Sequence, residues 1–255
     1  LEIKRKSGEV NMQNIFDNDI FYVNYISLRE NKRGLNEVLE MPAFRALLPD
    51  LHDETILDLG CGFGENCQWY IAKGAKKVIG IDISEKMIRK AKDFYHDSKI
   101  EYINLPMEKI DFPNHYFDSV FSSLAFHYVD DFDSLLKKIS HVLKPEGKLV
   151  FSQEHPIATA KMVSDGWVKN ECGEKLHWIM DDYDFEGKRK QTWFVEGVVK
   201  YHRKLSSIVN MLIDNGFKIA RIIEPVAIEA AEKLNEKLKE ERRRPPFLLI
   251  KATKI

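Results

Sequence analysis

Three kinds of residue pattern are missing from this chain, and each absence removes a class of protein. Cysteine is scarce: Cys61, Cys67 and Cys172 are the only three in 255 residues, an odd count with no C-x-x-C pair. A disulfide framework and a zinc ribbon are therefore excluded, and the thiols read as reduced, in a cytoplasmic protein. No run approaches the roughly 18 apolar residues of a spanning helix, so no membrane partner is expected. Leu1–Val10 is charged and lacks the apolar centre of a secretory leader. The chain does not open on Met, and Met12 is a candidate natural start, so residues 1–11 are set aside as a leader or an addition.

An excess of charge is missing too. Lys+Arg number 39 and Asp+Glu 40, a formal net charge of -1. Proteins whose main partner is nucleic acid usually carry a basic surplus, so the balance argues against one while leaving room for a local patch. What is present, 44% hydrophobic and 31% charged residues, describes a globular protein. The length suits one large domain or one domain with an insertion.

Strand and helix signals alternate through the middle of the chain. The expected strands are Thr55–Leu59, Lys77–Ile81, Ile100–Asn104, Phe117–Ser122 and Lys148–Gln153. Between them the pattern predicts helices at Glu65–Lys73, stopped by Gly74, at Ser84 to about Tyr95 with Ser84 as N-cap, and at Phe132–Leu143. Such alternation implies a parallel sheet covered on both faces. Before it, residues 12–50 hold an aromatic-rich helical start and a helix over Leu35–Leu48. After it, residues 156–200 carry Trp167, Trp178 and Trp193 and read as an insertion. A helix over Leu205–Asn215, a strand over Phe217–Ile223, a charged helix over Glu229–Arg244 and a strand over Phe247–Thr253 beside Phe217–Ile223 complete the chain.

The most informative segment is Ile56-Leu57-Asp58-Leu59-Gly60-Cys61-Gly62-Phe63-Gly64, between a strand and a helix. Parallel sheets bind ligands there, at the carboxyl ends of their strands. A dinucleotide fingerprint needs G-x-G-x-x-G, but here position 65 is Glu. Asp58 adds another negative charge where a pyrophosphate would sit. Asp82, at the end of the next strand, is spaced to bind the two hydroxyls of a ribose. A cationic nucleoside such as S-adenosylmethionine fits this acidic loop.

With these motifs in view, the stretch 55–153 resembles a class I S-adenosylmethionine-dependent methyltransferase. Asp58 through Gly64 matches the first motif and Asp82 the second. Pro106-Met107-Glu108 aligns with the adenine-bracketing segment, Phe117 through Ser123 with the fourth-strand motif, and Leu143 through Leu149 with the approach to strand five. The flanks, with Leu28-Arg29-Glu30 and Tyr201-His202-Arg203, resemble a bacterial small-molecule-type subgroup. The resemblance implies an α/β fold, a Rossmann-like doubly wound sheet of seven strands, mostly parallel with the last antiparallel. It divides residues 12–255, as one domain, into an N-terminal helical cap (12–50), a donor-binding core (51–155), an aromatic-rich insertion or acceptor lid (156–200) and the rest of the sheet (201–255). It further implies that the Gly60–Gly64 backbone holds the methionine moiety, with Asp58, Cys61 and Gly62 in that loop. Asp82 would take the ribose, Ile83, Met107 and Glu108 would border adenine, and Ser123 and Leu124 would face the methyl-donor centre. S-adenosylhomocysteine would be the product.

Methyl transfer from a sulfonium is a displacement on an activated donor, so alignment alone can supply roughly 7–11 kcal/mol. A general base adds about 100- to 10,000-fold when the acceptor must lose a proton. His127 after strand four, Glu154-His155 after strand five, and His202 after the insertion, preceding a helix, are the candidates. His127 and His155 each have a structural alternative: a buried loop histidine and a turn set by Pro156. No two of these histidines show ligand spacing, so no metal is expected. Tyr22, Tyr25 and Arg29 suit a lid; Tyr25 and Arg29 share a helix face, and an Arg can grip the methionine carboxylate. The alternative is packing plus a surface ion pair. The basic runs 188–190 and 242–244 read as solvated faces.

The fourth strand is followed by Ser-Ser-Leu-Ala, without the Asn/Asp-Pro-Pro-aromatic motif of nucleic-acid amino-methylating enzymes, and no cysteine adjoins a proline. A small-molecule acceptor is the first expectation. An RNA or protein acceptor is the second, and a protein that binds S-adenosylmethionine without turnover is the third.

Overall fold

Thr55–Leu59 forms strand β1, whose last four residues are buried. That is the signature of a strand covered on both faces. Lys77–Asp82 (β2), Ile100–Asn104 (β3), Phe117–Ser122 (β4) and Leu143–Glu154 (β5) lie parallel in the order β3-β2-β1-β4-β5. The computed structural model describes residues 12–30, 34–161, 166–227, 232–233 and 236–255; residues 1–11, expected to be a leader or an addition, lie outside them. Phe217–Ile223 (β10) and Phe247–Lys254 (β11) extend the sheet beyond β5. β11 runs antiparallel to both neighbours, as expected of the final strand.

Alternate residues of each strand face opposite sides, and the cores divide accordingly. Leu57, Ile79, Val120, Phe151, Leu248 and Ile250 pack on the side of Phe132–Val142 (α5) and Leu205–Asp214 (α7). Ile56, Val78, Phe121, Val150 and Leu249 pack with Met41–Leu47 (α2), Glu65–Ala72 (α3) and Glu85–Phe94 (α4). Ser84 caps α4 by accepting from the Met87 N–H at 3.1 Å, the role its sequence position predicts.

Three expectations need correction. The helix expected over Leu35–Leu48 is two pieces: a wide π turn over Asn36–Glu40, in which Met41 N–H reaches Asn36 O, and then α2. Pro42 has no N–H to continue the ladder and crowds the carbonyl four residues back, and the widened turn absorbs it. The charged helix expected over Glu229–Arg244 is, in its described part, helical at 232–233 and a tight 3-10 stretch over Glu236–Arg243; residues 228–231 and 234–235 lie outside the described residues. The basic runs are not uniformly solvated. Strand alternation turns Arg189 inward, where it is 6% exposed and donates to five main-chain carbonyls, among them Ala160 O at 2.8 Å. Arg244 packs 4.3 Å from the Trp178 ring.

The described part of 156–200 opens with the short helix α6 (Pro156–Thr159). Two antiparallel hairpins follow: Trp167–Lys169 (β6) with Lys175–Trp178 (β7), and Gly187–Trp193 (β8) with Val195–His202 (β9). The N-terminal helix α1 (Asp19–Glu30) meets the second hairpin: Trp193 stands edge-on to Phe21 at 5.1 Å and to Tyr25 at 6.0 Å. No helix among the described residues is long and apolar enough to cross a membrane.

Candidate functional site

At the carboxyl ends of β1, β2 and β4 lies a cavity of about 450 Å³. The loop after β1 is pinned to β2, since Gly60 and Cys61 N–H both donate to Ile81 O, at 2.8 and 2.9 Å. Gly60 has φ +76°, and a Cβ there would lie 2.5 Å from that of Ala125, so only glycine fits. Gly62 also has positive φ, but a Cβ there would meet nothing within 4 Å, because this residue borders the open cradle. Its N–H donates to Asp82 at 3.0 Å, and Ser84 N–H donates to the other carboxylate oxygen at 2.8 Å.

Of the twelve donor-site residues named from sequence, eleven line this cavity: Gly60, Cys61, Gly62, Asp82, Ile83, Met107, Glu108, Ser123, Leu124, Tyr25 and Arg29. Asp58 lies beneath it, 2% exposed, accepting from the Cys67 thiol at 3.4 Å. Burial raises Asp58 to about 7 and Asp82 to about 6, and raises Cys61 to about 11. Among the described residues no cation pairs with Asp58 or Asp82, so a cationic ligand would relieve both. A cradle floored by glycine, acidic below and bordered by Ile83 and Met107, fits S-adenosylmethionine in shape and charge.

Asp58 gives a pH prediction. Its folded-state value lies above its unfolded value, so the stability it contributes is full below about pH 4 and lost as the pH rises through about 7. Asp58→Asn removes that loss. In thermal denaturation the variant gains on the parent protein between pH 5 and pH 8; a constant difference would disprove the shift.

Several residues at this site carry no local sequence signal. Asp17 accepts from the hydroxyl of Ser84 and from the N–H groups of Glu85 and Lys86, at 3.2 and 3.1 Å. It thereby docks the N-terminal segment on the start of α4. Gln13 donates to Val199 O at 3.2 Å and accepts from Val199 N–H at 2.6 Å, adding one rung to the edge of β9. Two such bonds are worth about 1–3 kcal/mol together. Gln13→Ala is expected to weaken S-adenosylhomocysteine binding about three- to tenfold and to lower Tm by about 2–4 °C per kcal/mol lost; unchanged affinity would show that this rung does not hold the N-terminal segment beside the cavity.

Glu40 is fully buried and raised to about 7 by that burial. One of its oxygens accepts from Ser123 Oγ at 2.9 Å and from Ser152 Oγ. The other accepts from Asn36 Nδ2 at 3.2 Å, and Asn36 Oδ1 takes Arg29 at 2.6 Å. Arg29 also meets Glu37 at 3.2 Å and Glu65 at 3.0 Å. Ser152 in turn receives the Leu124 N–H on Oγ, at 2.9 Å, and on its carbonyl, at 3.1 Å. Leu124 holds φ +52°, a left-handed conformation that branched residues rarely adopt.

A second cavity, of about 1010 Å³, adjoins the first. Phe16, Tyr25, Arg29, Asn36, Leu124 and Tyr128 line both. His127 and Glu154 lie in its wall, with Trp178, Trp193 and Lys200. His127 Nδ1 accepts from the Glu154 N–H at 3.3 Å. Burial lowers the ring to about 3, so it is neutral and its proton sits on Nε2. Burial alone would raise Glu154, but its ion pair with Lys200 holds it below the ordinary value. The Lys200 ammonium stands 5.1 Å from the Trp193 ring.

The other two histidines are placed differently: neither His155 nor His202 is among the residues lining either cavity. His155 meets Glu224 at 2.8 Å through Nε2 and caps α6 by accepting from Ile157 N–H at 3.1 Å. His202 contacts Thr159 Oγ1 at 2.9 Å and Tyr183 O at 3.0 Å. Burial lowers both rings.

Comparison with known proteins agrees with this geometry. Residues 57–151 match the Methyltransferase domain family. An uncharacterized protein of Haemophilus influenzae is 40% identical over 251 residues, 96% of this chain and 98% of its own. The tRNA U34 carboxymethyltransferase of Cellvibrio japonicus is 30% identical over 150 residues, 52% of this chain and 45% of its own. Among solved structures, an S-adenosylmethionine-dependent methyltransferase of Mesorhizobium loti is 41% identical, covers 87% of this chain and all of its own, and superposes with a TM-score of 0.80. Strand order, the glycine cradle over the carboxylates of Asp58 and Asp82 and a likeness that spans nearly the whole chain converge: this protein belongs to the class I S-adenosylmethionine-dependent methyltransferases.

Proposed function

We propose that the protein methylates a small molecule held in the larger cavity, beneath residues 12–30 and 156–200. The observation that carries this reading is the second cavity itself. It shares six wall residues with the donor cavity, and side chains of the cap and the second hairpin line it. S-adenosylmethionine supplies an activated methyl group. The chain's own part is to bind, orient and keep out water.

In this reading Asp82 holds the ribose hydroxyls, and Ile83, Met107 and Glu108 border the adenine. The loop from Gly60 to Gly62 and Arg29 hold the methionine end. Leu124 and Tyr128 stand where the two ligands meet. His127 and Glu154 touch the acceptor, and His155 and His202 position the wall from behind.

The test is methyl transfer from labelled donor into a cell extract separated into molecules below about 1 kDa, RNA and protein. Label is expected in the small-molecule pool. Label confined to RNA or protein would overturn the reading, and transfer to RNA would bring the chain's acceptor into line with that named for the Cellvibrio japonicus relative.

A further inference from the structure

The larger cavity combines aromatic walls, a surplus of cations and few groups able to take a proton. Six of its lining residues are Lys or Arg and three are Glu. Trp178, Trp193, Tyr128 and Phe16 supply flat faces, which suit a planar ligand.

Proton acceptors are the scarce element. His127 already uses Nδ1 to accept the Glu154 N–H, and its other nitrogen carries the ring proton, so the ring can donate but cannot take a proton without breaking that bond. Of the three carboxylates, Glu154 is engaged by Lys200 and Glu37 by Arg29, and Glu196 is solvent-exposed. Burial raises the Tyr25 and Tyr128 phenols, which keeps both as hydroxyls. Donors, by contrast, are in surplus. Arg244 Nε is buried with no hydrogen-bond partner among the described residues, although the same guanidinium meets Glu241 at 3.3 Å and lies against Trp178. The Lys200 ammonium has N–H groups beyond the one given to Glu154. An unpartnered buried donor costs free energy until an acceptor arrives.

Resting on the small-molecule reading above, we propose that the methyl acceptor is a planar organic anion, a conjugated carboxylate, methylated on oxygen without a general base. One carboxylate oxygen gives a lone pair to the methyl carbon. The new O–C bond forms as the C–S bond breaks, and the bonding pair stays on sulfur. A negative carboxylate and a positive sulfonium become a neutral ester and a neutral thioether, and no proton moves. Arg244 and Lys200 hold the anion, and the tryptophans hold its plane.

The test is calorimetric titration of the protein loaded with S-adenosylhomocysteine, using 2-naphthoate, 2-naphthamide and 2-naphthylmethylamine as probes of one shape and three charges. Naphthoate is expected to bind at least tenfold tighter than the amide, and the amine weakest. In Arg244→Gln, and separately in Lys200→Gln, the preference for naphthoate over the amide falls below threefold while affinity for S-adenosylhomocysteine is retained. Naphthoate that binds no tighter than the amide or the amine, or does not bind at all, overturns the proposal. Failure of S-adenosylhomocysteine to bind would instead strike at the donor-site reading.

Discussion

Asp82→Ala lowers the affinity for S-adenosylhomocysteine at least tenfold and, by the energetics of its contacts, closer to 100-fold. The carboxylate holds two main-chain N–H groups, of Gly62 and Ser84, and both lose their partner in the variant. Those orphaned donors cost stability in the free and the bound protein alike; the affinity lost is that of the proposed hydrogen bonds from the ribose hydroxyls to a charged carboxylate, about 1.5–3 kcal/mol, and 1.4 kcal/mol is tenfold in affinity. The Gly62 bond matters most, because it sets the height of the loop that floors the cavity. Asp82→Asn keeps one acceptor oxygen and should lose less. Titration calorimetry reads both, and unchanged affinity in the alanine variant would remove Asp82 from the donor site.

Glu40→Ala has the largest expected effect on stability. Its carboxylate receives Ser123, Ser152 and Asn36 in a fully buried position. Truncation leaves three polar groups short of a partner, a cost on the order of 3 kcal/mol. For a chain of this size that corresponds to a fall in Tm of about 6–12 °C. Glu40→Gln keeps an acceptor and should fall less. Loss of under 2 °C in the alanine variant would mean that the serines find other partners. Donor affinity should drop in parallel, because Ser152 holds Leu124 in its left-handed conformation through two bonds to one N–H.

What could be read from the sequence follows the range of the forces involved. Thr55–Leu59, Ile100–Asn104, Phe117–Ser122 and Phe217–Ile223 fold over the spans their local pattern predicts, because an apolar run closed by turn residues is a local signal. The glycine loop was legible for the same reason. The Glu40–Ser152, Gln13–Val199 and Glu154–Lys200 contacts were not, since each joins residues 46 or more apart. A lone Glu between Leu39 and Met41 was the one hint of the first. Histidines mark the limit most clearly. His127 and His155 both follow strand ends and looked equivalent in sequence, yet only His127 lines the larger cavity. Which way a ring points is decided by packing from elements that the local pattern does not describe.

The wall common to the two cavities gives the proposed reaction an expected order in time. Phe16, Tyr25 and Tyr128 form one edge-on cluster, with Phe16 5.2 Å from Tyr25 and 5.8 Å from Tyr128. A ligand on either side presses on the same rings, so each ligand alters the other's affinity by the same factor. The segment carrying Phe16 is tied to β9 through Gln13 and to α4 through Asp17. With the donor against the strand ends and the acceptor in the outer cavity, the placement proposed above, the donor enters first and its spent form leaves last. Steady-state kinetics should be sequential and ordered, with S-adenosylhomocysteine competing against the donor alone.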